Sequence, residues 1–142
     1  MDPEARRRLE DVLDREIEVA RSLAETLAAE RTALTGDSPL AVEQKAAEKV
    51  RILGTIEKLE AERRALWGTS NLGLAATIAD RWRALMELMA GCRTANEING
   101  HIIHVRQHQI GQLIDIVRGG PAITYDPQGK TFAKALRALA RA

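Results

Sequence analysis

The sequence predicts an all-α protein: an elongated antiparallel three-helix coiled-coil bundle followed by a short C-terminal amphipathic helix. Three observations carry this expectation. Alanine and leucine dominate with 23 and 16 copies, while aromatic residues make up only 3%, a mix that favours helices over sheets. Glycine and proline gather where helices should stop. Between those stops, apolar residues recur every three and four positions, as they do along a helical seam. A chain of 142 residues has room for one ordinary domain.

The elements follow in order. Asp2-Pro3 reads as an N-cap followed by proline in the first turn, with Glu4 well placed for the helix dipole. It opens a helix over 3–35. Leu13, Ile17, Ala20, Ala24, Leu27 and Leu34 form one stripe, and Leu9, Val12, Val19 and Leu23 a second. Two stripes mean two neighbouring helices. Gly36-Asp37-Ser38-Pro39 stops the first helix and starts a second over 39–67, with its seam at Ile52, Ile56, Leu59, Arg63 and Leu66 and with Ala46, Val50 and Leu53 alongside. Gly68-Thr69-Ser70-Asn71 starts a third over 71–118, unless the start slips to Thr77, where Asp80 completes a box-like cap. At 1.5 Å per residue the three helices are roughly 50, 44 and 72 Å long, lengths that suit a hairpin joined to a longer third helix. Gly119-Gly120-Pro121 ends the bundle, and 121–142 form a turn and a tail.

The third helix carries a heptad seam that alternates by four and three without a skip, from Ile78 through Trp82, Leu85, Met89, Cys92, Asn96, Asn99, Ile103, Arg106, Ile110 and Leu113 to Val117, and Gly100 follows the two asparagines at once. Buried asparagines are a known means of fixing coiled-coil register. The same break also weakens hydrophobic pairing, which leaves the lower half of the helix free to bend or to face a partner. Both readings stand at this point.

Chemistry is harder to find. His101, His104 and His108 share one helical sector, but that sector points away from the Ile103/Ile110 seam, so they read as exposed polar surface and no metal is assigned. Cys92 falls on the seam as a small core residue. There is no phosphate-binding glycine loop and no nucleophile–base arrangement, so no catalytic residue or cofactor is assigned and an enzyme is not expected. A single cysteine excludes a disulfide framework within the chain. No apolar run approaches the roughly 20 residues of a spanning helix, and the N-terminus lacks the apolar core of a signal peptide. The expectation is a cytoplasmic protein.

The net charge of +1 conceals an acidic front and a basic end. The last residues hold Lys130, Lys134, Arg137 and Arg141 on one face of a short helix, with Phe132, Leu136 and Leu139 on the other. Four charges are few for nucleic-acid or membrane-surface binding, so a partner helix or the protein's own groove suits this segment better.

Several of these segments are similar to one family. Asn96-Glu97-Ile98-Asn99-Gly100, followed by Ile102-Ile103, resembles the Asn-x-x-Asn-Gly-apolar signature of FlgN-type flagellar export chaperones. Thr124-Tyr125-Asp126-Pro127-Gln128-Gly129 resembles their Thr-x-Tyr-x-x-x-Gly segment, with threonine and tyrosine adjacent here. The run from Glu48-Lys49 to Arg63-Arg64 and the segment Ile78-Ala79-Asp80-Arg81-Trp82 resemble their middle helix and the opening of their third.

The resemblance implies a cytoplasmic chaperone of the flagellar type III system. Such a protein binds hook–filament junction (hook-associated) proteins, prevents their premature assembly and delivers them to the export gate. Implied partners are those subunits and the export-gate membrane protein, with the export ATPase complex a further candidate. Nucleic acid and direct membrane insertion are not implied, and the expected state is a monomer or weak dimer. The resemblance makes Asn96, Asn99 and Gly100 signature positions and gives Tyr125, with Gly129, a role in gate docking. Together with the residue pattern, it places subunit binding on Asn96, Asn99, Gly100, Ile103, Ile110, Leu113 and Val117 and on Phe132, Leu136 and Leu139 of the tail. The competing expectation is a generic coiled-coil scaffold without an export role.

Overall fold

A computed structural model of the chain describes residues 2–68 and 75–119. Among these it shows three α-helices, α1 (Pro3–Leu34), α2 (Pro39–Gly68) and α3 (Ala76–Arg118), and no strand. The all-α class is as the composition and periodicity predict. The turn and amphipathic helix expected over 121–142 lie outside the described residues, and with them Tyr125, Gly129, Phe132, Leu136 and Leu139.

Local chemistry sets the helix ends. The Asp2 carboxylate accepts from the Glu4 amide at 3.3 Å with Pro3 at the first helical position, which satisfies one of the amides a helix start leaves open. At the other end of α1 the Thr35 hydroxyl donates to the carbonyls of Arg31 and Thr32. Ser38 caps α2 by accepting from the Ala41 amide at 3.2 Å. α3 starts at Ala76, later than Asn71 and one residue before Thr77. Thr77 does not cap it, because its hydroxyl instead donates across to Glu10 Oε1 at 2.7 Å, while Asp80 pairs with Arg83.

The chain divides into two compact units at the Asn99–Gly100 step. In the first unit the paired residues fix the helix directions. Arg15–Glu62 and Glu30–Lys49 run in opposite senses along α1 and α2. Glu10–Thr77 and Asp14–Arg81 run in the same sense along α1 and the first part of α3. The result is an up-down-up three-helix bundle.

The core lies on α1. Leu9, Leu13, Ala20 and Leu27 are buried, and α3 meets them with Ile78, Leu85 and Cys92 at strict seven-residue intervals. The Cys92 thiol donates to the Ala20 carbonyl at 3.6 Å, and burial pushes its pKa up. α2 contributes less: Leu59 is its one buried hydrophobic residue, and Val50 and Leu53, expected beside the seam, are exposed.

The seam also contains charges. Glu16 sits on the same heptad position as Leu9 and Leu23 and is buried. Its carboxylate accepts from Arg63 Nε at 3.0 and 3.2 Å. The Arg63 guanidinium in turn lies 4.7 Å over the Trp82 ring, which packs at 5.2 Å against Trp67. Loss of solvation raises the Glu16 pKa, and this outweighs the opposing pull of Arg63. The pair therefore specifies alignment more than it stabilises. Glu16→Leu, which leaves Arg63 only the longer contact to Glu60 at 3.9 Å, is expected to cost about 3 kcal/mol. Glu16→Leu combined with Arg63→Met should recover most of that loss, measured by urea unfolding followed by circular dichroism. A double variant as unstable as the single one would show that the charges themselves hold the helices.

Candidate partner-binding surface

Asn99 continues the buried interval that Ile78, Leu85 and Cys92 set along α3 and is itself 1% exposed. A polar amide there needs partners, and α1 supplies them. Asn99 Nδ2 donates to the Leu27 carbonyl and to Glu30 Oε1, both at 2.9 Å, and Oδ1 accepts from Arg31 Nε at 3.1 Å. Both amide protons are used.

Glu30, equally buried, completes the layer through Lys49 of α2, whose Nζ lies 3.0 Å from Oε2. Lys49 also donates to Asn96 Oδ1 at 3.3 Å. Asn96 and Asn99 thus join one polar layer with α1 and α2, although Asn96 itself is exposed and only Asn99 is enclosed. A heptad shift of α3 would bring Cys92 or Arg106 opposite Glu30 in place of Asn99, and neither provides the same set of bonds. The register-fixing reading of the two asparagines therefore holds for Asn99.

The second unit, by itself, continues α3 from Gly100 to Arg118 without a helical break. Its apolar residues are largely bare. Ile103 is half-buried, but Ile110 is 51% and Val117 86% exposed, with Leu113 and Ile116 between them in degree. Val105 is also exposed. At 100° per residue Val105, Ile110, Leu113, Ile116 and Val117 span a sector about 140° wide, a broad apolar stripe. His101, His104 and His108 are exposed and lie away from this stripe, and among the described residues no three His, Cys, Asp or Glu side chains converge as a metal site would need.

The residues expected to bind a protein subunit therefore fall into three groups. Asn99 is enclosed in the bundle and Asn96 is tied to Lys49. Ile110, Leu113 and Val117 are accessible apolar side chains. Phe132, Leu136 and Leu139, with Tyr125 and Gly129, lie outside the described residues. Sequence reading missed Glu30, Arg31 and Lys49 as the partners of the asparagines. The available signal was Glu16 and Glu30 recurring two heptads apart where Leu9 and Leu23 stand.

Gly100 is helical, and a Cβ added there would meet nothing within 4 Å. Glycine is thus not demanded by space among the described residues, and it weakens the helix by about 1 kcal/mol relative to alanine. Gly100→Ala is expected to raise stability by up to about that amount, read as an increased urea midpoint. A lower midpoint would mean that the backbone at this position needs glycine for the fold itself.

No described helix is long and apolar enough to cross a membrane. No curated protein and no solved structure matches the chain. A family model does: FlgN, described as FlgN protein, matches residues 1–132 and so takes in both the asparagine layer and the bare apolar stripe of α3. The chain belongs to the FlgN family, the flagellar chaperones that its motifs resemble.

Proposed function

We propose that this protein is a cytoplasmic flagellar export chaperone that binds hook–filament junction (hook-associated) proteins, holds them back from premature assembly and delivers them to the type III export gate. The family match over residues 1–132 carries the reading. The exposed stripe supports the position of the subunit contact, because an apolar patch kept in water marks an interaction surface. Ile110, Leu113 and Val117, three and four residues apart, have the spacing with which one helix receives another. The terminal coiled-coil helix of the subunit packs on this stripe, and Phe132, Leu136 and Leu139 of the tail extend it. Tyr125, with Gly129, docks on the export-gate membrane protein, and the export ATPase complex is a further contact of the same delivery step.

A second reading rests on the same stripe. Bare apolar side chains on a helix also suit self-association, as in a coiled-coil scaffold. Sedimentation separates the two, since a chaperone stays monomeric or weakly dimeric and forms a one-to-one complex with its subunit.

The direct test is a pulldown with purified hook-associated proteins. Replacing Ile110, Leu113 and Val117 together by serine should weaken capture by more than about tenfold and leave the thermal midpoint nearly unchanged, because all three side chains are exposed. A chain ending at Gly119 should also lose binding, and full binding by that shortened chain would remove the tail from the proposal. Tyr125→Ala should spare subunit capture while weakening association with the export-gate protein. Loss of subunit capture instead would mean that the two surfaces are divided wrongly.

A further inference from the structure

Between α2 and α3 the first unit leaves a half-open cavity of about 180 Å³. Leu23 and Leu27 of α1 and Cys92 of α3 form its floor, and Leu53 and Met89 form its walls. An apolar cavity of about 150 Å³ holds a benzene molecule, so this one has room for a single phenylalanine or leucine side chain. The apolar character does not stop at the mouth. Leu53 is 41% exposed, and Val50, one turn away on the same helix, is 66% exposed.

The charges at the mouth are unequal. Lys49 is neutralised by Glu30 at 3.0 Å and bonded to Asn96. Arg93 is exposed and has no hydrogen-bond or ion-pair partner among the described residues, and no acidic side chain lines the opening.

We propose that this opening docks an acidic amphipathic helix of another protein, which inserts one phenylalanine- or leucine-sized side chain and sets a neighbouring carboxylate on Arg93. The walls belong to two antiparallel helices, so the groove is linear, with the partly exposed Leu53 at its edge. The protein's own basic tail is a poorer occupant, since residues 130–142 contain no carboxylate to set on Arg93. The site lies wholly within residues 23–96 and is independent of the Ile110–Val117 stripe.

The test uses the full chain and a defined probe: an acetylated alanine-based helical peptide of about 15 residues, with one phenylalanine flanked by glutamates one turn before and after it. Methyl NMR shifts should concentrate on Leu53 and Met89. Modification of Cys92 by a small thiol reagent should slow, because the thiol lies on the cavity floor. Replacing the peptide's phenylalanine by alanine should weaken binding by more than about tenfold. Arg93→Glu, a surface change, should weaken it by about fivefold. The proposal is overturned by an absence of shifts at millimolar peptide, by shifts centred on Ile110–Val117, or by binding indifferent to both substitutions.

Discussion

A carboxylate removed from water must find a cation or a set of donors, and α1 places two of them in its buried face. Glu16 and Glu30 lie two heptads apart. Their partners on α2, Arg63 and Lys49, are separated by the same interval in the opposite direction. On α3, Trp82 and Asn96 repeat it once more. The bundle therefore has two polar layers joining the same three helices, with leucine, isoleucine and alanine packed between them. An apolar seam alone tolerates sliding by a heptad at modest cost. Two desolvated carboxylates do not, because a slip would strand each in hydrocarbon. Helix direction, neighbour and register all follow from that constraint.

The same constraint divides the labour along α3. Up to Asn99 its inward positions are specified by partners on α1. From Gly100 onward the helix keeps its backbone bonds, yet Val105, Ile110, Leu113, Ile116 and Val117 stay exposed. A chaperone needs both properties, a body that does not rearrange and an apolar surface open to a partner.

Much of this was legible in the residues. The caps at Asp2-Pro3 and Ser38-Pro39 announce α1 and α2, and the heptads of α3 announce its core positions through Cys92. Asn99, readable as a register-fixing seam position, is enclosed among partners on α1. Less legible was everything that depends on which face meets which neighbour. Glu16 and Glu30 sit among many solvated glutamates, and only the register of α2 shows them to be enclosed. Val50 and Leu53 continue the rhythm of α2 but face outward, because α1 and α3 together cover one side of that helix. Thr77 has the chemistry of a cap, and a cross-helix acceptor on Glu10 claimed its hydroxyl. For Thr77 a long-range partner outweighed a local preference that was real in isolation, and for the others the placement of neighbouring helices decided which face was enclosed.

Both tryptophans of the chain, Trp67 and Trp82, pack against each other at a tilt of 54°, with the Arg63 guanidinium over the Trp82 ring. Their emission therefore comes from one shared environment, with the Arg63 guanidinium that Glu16 holds lying over one of the rings. Intrinsic fluorescence in this protein is a local gauge of the Glu16–Arg63 junction, not an average over the molecule. An encounter that leaves that junction intact is optically silent, and a partner bringing its own tryptophan would be read against a constant background.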